Sequence, residues 1–356
     1  MVKSREEVLR RIPKQPVCLC GKQDSEHRED HEANHDETQG IYIEETPNGY
    51  RFNLCPACQP WGEWCDLCGG TGHAMFSYSH ILETKNGKTK YRSDEVRPYG
   101  CSCTQWLFLL NKLNQANIPD KFIHADFSSF NLNHVTDESQ KEKLIKNLDT
   151  VANTCQKIIE SKKKSLNRIK YFVTLFGPVG SGKTMMATAA LKMLMMTNQY
   201  SGRFIDFQYL LSQLRAEYDI HKSGENILTD LRNIDVLLID EFGKGRNDKE
   251  WQLEKLDDLI NYRYNAQKIT FITTNYLPQN FKYQKNEMPA RFTGLGSSET
   301  PLNESFWQQG LCERIGLRMY ERILEVSEFV DFTGLPSYRR FMGRSFLDKY
   351  LQREDH

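Results

Sequence analysis

Net charge, long apolar runs and late cysteines are all scarce in this sequence. The 356 residues carry 47 Lys and Arg against 47 Asp and Glu. Bulk charge therefore predicts neither a nucleic-acid nor a membrane partner, and any basic surface has to be local. The longest apolar runs, such as Trp106 to Leu110 and Val236 to Ile239, fall far short of a bilayer span, which excludes a transmembrane helix. The opening stretch MVKSREEVLRRIP has no apolar core and does not read as a signal peptide. A soluble, cytoplasmic protein without a membrane partner is expected. Only Cys155 and Cys312 of the ten cysteines lie beyond residue 104.

The eight early cysteines come in close pairs: Cys18/Cys20, Cys55/Cys58, Cys65/Cys68 and Cys101/Cys103. In a cytosolic chain such spacing reads as metal ligands rather than disulfides. Four thiolates close a tetrahedral structural zinc site, so eight make two Zn²⁺ sites. CDLCGGTG followed by RPYGCSC has the pattern of a zinc ribbon. Sequential pairing would group the first four and the last four cysteines; an intercalated pairing would join the two inner pairs. His27, His31 and His35 sit in a charged, polar stretch that reads as a solvated loop.

Three segments follow from the pattern. Residues 1–104 form a Cys-rich, zinc-ribbon-like, loop-rich module, held by ligands because its weak periodicity supports little core. Residues 105–168 read as helical, with apolar positions recurring every three to four residues from Leu144 to Ile159. Residues 169–356 alternate strand and helix, which predicts an α/β fold with a parallel sheet and helices on both faces.

Where the first of those strands ends, Gly177-Pro178-Val179-Gly180-Ser181-Gly182-Lys183-Thr184 matches G-x-x-x-x-G-K-[ST], with a helix after it. Glycines let backbone N–H groups wrap phosphate oxygens, and the helix N-terminus adds positive potential. Lys183 would reach the β/γ-phosphates of ATP, and the Thr184 hydroxyl would hold Mg²⁺. VLLIDE ends in Asp240, a second Mg²⁺ holder, and Glu241, placed to polarise the attacking water. ITFITTN ends in Asn275, a polar group able to position the same water.

The run from ANIPDKF (116–122) to SYR (337–339) resembles the AAA+ P-loop ATPases of the helicase-loader group, the DnaC/DnaI and IstB-like proteins. GPVGSGKT is similar to their Walker A, LLIDEFG to Walker B, TTNY to sensor 1, ERIGLRMYER to the arginine-finger box and SYR to sensor 2. That resemblance implies self-association in a ring or spiral with ATP between neighbours. It places the finger on Arg318, with Arg314 in reserve, and Arg339 on the nucleotide of its own subunit. CERIGLRMYER reads as one helix with Arg314, Arg318 and Arg322 on one side. The segment 276–311, which contains Arg291, is longer than the pattern needs.

The resemblance further implies a loader of a hexameric replicative helicase onto single-stranded DNA, with the zinc module gripping the helicase. CxxCGGTG also resembles the zinc repeat of DnaJ, in which pairing is intercalated. Tyr209, Arg215, Tyr218 and Lys222, and separately Lys244 and Arg246, are candidate DNA contacts. Two alternatives stand: an IstB-like helper ATPase of a transposase, and a zinc-based adaptor with a slow ATP-driven assembly switch.

Overall fold

The protein is described from a computed structural model. It describes residues 41–54, 73–83, 90–100, 103–161 apart from 129, 131, 133 and 134, 169–219 apart from 199, 225–245, 250–278 and 310–339. These fall into two compact units, residues before Gln115 and residues from it onward.

The first unit contains two antiparallel hairpins. Strand β1 (Ile41–Thr46) pairs with β2 (Gly49–Leu54), and β3 (His73–Glu83) pairs with β4 (Lys90–Gly100). Helix α1 (Cys103–Gln115) follows, and its Asn114 amide brackets Phe52, accepting from its N–H at 2.8 Å and donating to its carbonyl at 3.0 Å. Among the described residues of 1–104, regular structure consists of these two hairpins, one with 11-residue strands, and the start of α1. Cys18, Cys20, Cys55, Cys58, Cys65, Cys68 and Cys101 lie outside the described residues, as do His27, His31 and His35. Cys103 opens α1, and its side chain is likewise outside them.

The second unit is built on one parallel sheet. Its strands are β5 (Phe172–Phe176), β6 (Gly202–Asp206), β7 (Val236–Asp240), β8 (Ile269–Thr274) and β9 (Ser327–Asp331), ordered β6-β7-β8-β5-β9. Strands β5, β7 and β8 are buried at every residue, as near-continuous apolar runs covered on both faces must be. Helix α2 (Glu138–Ser161) lies on α3 (Lys183–Asn198), which packs on β7 and β8. Helix α3 is apolar nearly all round because the sheet covers one side and α2 the other.

The remaining helices are α4 (Phe207–Asp219), α5 (Glu225–Asn233), α6 (Glu250–Asn265), α7 (Leu311–Ile315) and α8 (Leu317–Val326). They supply Leu210, Leu228, Leu256, Ile315 and Ile323 to one core with Leu237, Ile239 and Ile272 of the sheet. Val236 and Leu238 alternate with those strand residues and so point to the other face. Strand order, parallel pairing and flanking helices together are the AAA+ P-loop architecture expected from the motifs. Among the described residues, no helix is long and apolar enough to cross a membrane.

Two buried cations tie the unit together. Lys192, midway along α3, donates to the carbonyls of Ile123 at 2.7 Å and Ala125 at 3.0 Å, just after a 3₁₀ turn at Asp120–Phe122. Burial lowers it to about 8. Arg263 of α6 has no exposed surface. It donates to the carbonyls of Leu231, Ile234 and Ile269 at 2.7, 2.9 and 2.6 Å and to Thr270 Oγ1 at 2.9 Å. A guanidinium thus meets the carbonyls that α5 leaves unpaired at its C-terminal end. Burial lowers this group to about 9.

Candidate nucleotide site

The loop between β5 and α3 bends at Gly177, Gly180 and Gly182, with φ of +138°, +82° and +99°. Space is as restrictive as conformation. A Cβ on Gly177 would sit 2.7 Å from the carbonyl carbon of Phe332, and one on Gly180 would sit 2.4 Å from Ser337 Oγ. The loop is therefore clasped by its own chain: Phe332 N donates to Phe176 O at 2.8 Å, and Tyr338 N donates to Gly180 O at 2.8 Å.

Lys183 is buried and folded back onto the loop, donating to Gly177 O at 2.9 Å and Pro178 O at 2.6 Å. Burial lowers its ammonium to about 8; Asp240 and Glu241 pull the other way, and Arg339 adds to the fall.

Asp240 ends β7 and is the hub of the polar network. Thr184 Oγ1 donates to its Oδ1 at 2.8 Å, and Thr273 Oγ1 donates to the same oxygen at 2.5 Å. Burial raises the Asp240 carboxyl, while the Thr273 and Thr184 hydroxyls oppose the rise and the charges of Glu241 and Asp206 add to it. Two hard oxygen donors already at hydrogen-bond distance, one a buried carboxylate, fit a Mg²⁺ held by Thr184 and Asp240. Among the described residues, no group of three or more His, Cys, Asp or Glu side chains is gathered as a metal site.

Glu241 follows with φ of +55°, unusual for a residue with a side chain. Its N–H donates to Thr273 Oγ1 at 3.0 Å, so one threonine positions both acids. Thr273 was absent from the expected site, although its place at a strand tip beside Asn275 was a readable signal. Asn275 lies one residue beyond β8, and Gly177 N donates to Thr274 O at 3.2 Å, so the tip of β8 adjoins the phosphate loop.

The arginines separate. Gly316, with φ of +87°, breaks the expected single helix into α7 and α8, so the three arginines do not share one face. Arg314 turns inward, donating to Tyr276 Oη at 2.6 Å with its guanidinium 4.7 Å from the ring centroid. Arg322 donates to Asp257 at 2.7 Å. Arg318 also reaches Asp257, at 3.4 Å, yet its side chain is 76% exposed. Arg339 lies near Gly180, 3.8 Å from the position of an added Cβ there, and its charge bears on Lys183. Tyr209 is exposed on α4 and Arg215 is described, while Lys222, Arg246, Arg291 and the Tyr218 side chain lie outside the described residues.

Residues 109–283 match the model of a family described as IstB-like ATP binding protein. Over 99 residues the chain is 33% identical to the phage-like element PBSX protein XkdC of Bacillus subtilis (strain 168), covering 27% of this chain and 36% of that protein. It is 29% identical over 106 residues to the uncharacterized protein YqaM of the same organism, covering 29% and 33%. The matched stretch thus spans about a third of these relatives' length. Among solved structures, the DnaC helicase loader is similar with a TM-score of 0.42 and 23% identity, over 60% of this chain and 99% of that one. DnaI is similar with a TM-score of 0.41 and 16% identity, over 60% and 94%. Residues 109–283 are thus similar in sequence to IstB-like ATP-binding proteins, and the parallel sheet with its phosphate loop has the AAA+ P-loop fold.

Proposed function

We propose that the chain is an ATP-dependent loader that assembles as an oligomer and places a hexameric replicative helicase on single-stranded DNA. One observation carries the oligomeric part: the two arginines are divided between two destinations. Arg339 lies beside its own phosphate loop, whereas Arg318 is held outward on α8 with one loose partner. A subunit with a cation for its own nucleotide and another presented at its surface is suited to a site completed by a neighbour. In that site Lys183 and the loop N–H groups bind the phosphates, and Thr184 and Asp240 hold Mg²⁺. Glu241 takes the proton from the attacking water as the β–γ phosphoanhydride breaks. Asn275 positions that water, and the neighbour's guanidinium offsets charge on the transferring phosphoryl group.

Mixing subunits tests this. Lys183→Ala subunits keep Arg318 but lack a working loop, and Arg318→Ala subunits are the reverse. Mixtures should recover turnover that neither has alone; no recovery at any ratio would remove the shared site.

The helicase and single-stranded DNA parts rest on the order of motifs from ANIPDKF to SYR and on the paired cysteines. We assign Cys18, Cys20, Cys55, Cys58, Cys65, Cys68, Cys101 and Cys103 to two zinc sites in a partner-binding module. Zinc content of the full chain should fall in Cys65→Ser and Cys103→Ser. The family match is equally compatible with a second reading, an ATPase helper of a transposase acting on duplex DNA. Capture with the full-length chain as bait separates the two: a hexameric helicase supports the first, a transposase the second.

A further inference from the structure

Helix α2 grips the stretch that follows β9 along one edge. Asn147 Nδ2 donates to Asp331 O at 2.7 Å, and Gln140 Nε2 donates to Gly334 O at 2.8 Å. Between them Lys143 Nζ donates to Asp331 Oδ2 at 2.7 Å, Thr333 O at 2.7 Å and Thr333 Oγ1 at 3.2 Å. Positions 140, 143 and 147 recur every three to four residues, so they share one side of the helix. Each proton of the ammonium meets an acceptor. Both oxygens of Asp331 are engaged as well, because Thr333 N donates to Oδ1 at 2.7 Å. The side chain of Lys143 is 32% exposed and that of Asp331 22%, so the pair escapes much of the screening that weakens surface ion pairs.

The far side of the same stretch clasps the phosphate loop. A Cβ on Gly177 would stand 2.7 Å from the carbonyl carbon of Phe332 and 2.9 Å from Thr333 N. Further along, Ser337 and Tyr338 close on Gly180, and Arg339 follows. The strap from Asp331 to Arg339 is therefore tied to α2 on one side and pressed on the bends of the loop on the other. A shift of the tied side is passed to the loop, whose N–H groups bind only where they are aimed.

We propose that Lys143 is a positioning residue for ATP: it fixes the strap against the phosphate loop, so that affinity for the triphosphate depends on a side chain of α2. This rests on the assignment of the loop to the phosphates of ATP and adds the tether that holds its shape.

Equilibrium dialysis of ATP with the full chain, together with saturation kinetics, tests it. Lys143→Met keeps most of the side chain's length and loses the charge and its three bonds. It should weaken ATP binding and raise KM about tenfold, with kcat within about twofold of the unaltered chain. Loss of folded protein would lower kcat and leave KM alone, so the split separates positioning from lost stability. Lys143→Arg, which keeps a charge for Asp331, should lose no more than about threefold. Asp331→Asn weakens the tether from the strap side and should also raise KM; adding it to Lys143→Met should cost no more than about a further twofold. Lys141→Met, which breaks a surface pair with Glu138 on the same helix, should leave affinity as it was. A Lys143→Met chain that binds ATP within about twofold of the unaltered chain, or whose kcat falls while KM holds, overturns the proposal, as does an equal loss in Lys141→Met. Gly177→Ala separates this from failure of the underlying reading. If it weakens ATP binding and Lys143→Met does not, the loop holds the phosphates and only the tether falls; if neither does, the loop assignment falls too.

Discussion

Nucleotide binding should take up a proton, and the amount follows from where Lys183 sits. An exposed lysine keeps its proton through pH 10; this one, buried against Gly177 O and Pro178 O, loses it near 8. In the empty protein it is therefore about nine-tenths protonated at pH 7, half at pH 8 and one-tenth at pH 9. A triphosphate replaces two carbonyl dipoles with full negative charges and restores the ordinary value. Binding should then draw in about 0.1, 0.5 and 0.9 proton at those three pH values, with apparent affinity falling about tenfold from pH 7 to pH 9. The phosphates, which titrate near pH 6, contribute little there. Titration calorimetry in buffers of different ionisation enthalpy reads the uptake directly. Lys183→Arg, whose guanidinium stays charged, should take up none. Uptake below about a tenth of a proton at pH 8.5, or uptake that survives in Lys183→Met, would refute the argument. The same depressed value sets a stability trend in the empty chain. Between 8 and the unfolded value of 10.5 the unfolded state holds the extra proton, so this group's contribution to stability rises with pH across that window and is constant below it.

Other consequences are equally open to measurement. Arg263→Met strands three carbonyls, each worth about 1 kcal/mol or more when left unpaired in the interior, and takes one donor from the Thr270 hydroxyl, which keeps its bond to Lys268 O. Urea unfolding should show a loss of about 3–5 kcal/mol, and a loss under 1 kcal/mol would mean that the buried charge is no staple. Gly177→Ala forces a side chain to within 2.7 Å of the Phe332 backbone and should weaken ATP binding at least about tenfold by equilibrium dialysis. Gly334→Ala, at φ of +73° with open space around it, should cost only about 1 kcal/mol of stability and leave ATP binding as it was. Glu241→Gln should bind ATP normally yet turn over at least about a hundredfold slower, since it keeps the shape of the side chain and loses the base.

The parts of the fold most legible in the sequence were those whose environment is simplest. Strands β5, β7 and β8 are covered on both faces, so they appear as unbroken apolar runs with polar residues marking their tips. Helix α3 announced its burial by being apolar all round. Strand β9 leaves little signal in the sequence because it lies at the sheet edge, where SEFVD tolerates two acids. Helix α5 is short and lies between two stronger signals. The phosphate loop, Asp240 and Glu241 were legible because spacing alone defines their chemistry. Contacts made by folding were not: spacing says nothing of Thr273 serving both acids, nor of the pairing of Lys244 with Glu241. Lys192 did leave a trace, as a charge midway along an apolar helix, which a buried donor to loop carbonyls explains.

The break at Gly316 has a bearing on how signals pass between copies. Among the described residues nothing lies within 4 Å of where a Cβ would stand on that residue, so glycine is needed there for its backbone angle. The two short helices meet at a joint with free space around it. One side of the joint is moored: Leu311 N donates to Leu277 O at 2.8 Å, and Arg314 grips Tyr276, the residue after Asn275. The other side carries Arg318. In the assembly proposed above, a displacement at the tip of β8 would be delivered, through α7, to the root of the helix that carries Arg318, and the joint would set the lever arm between the two.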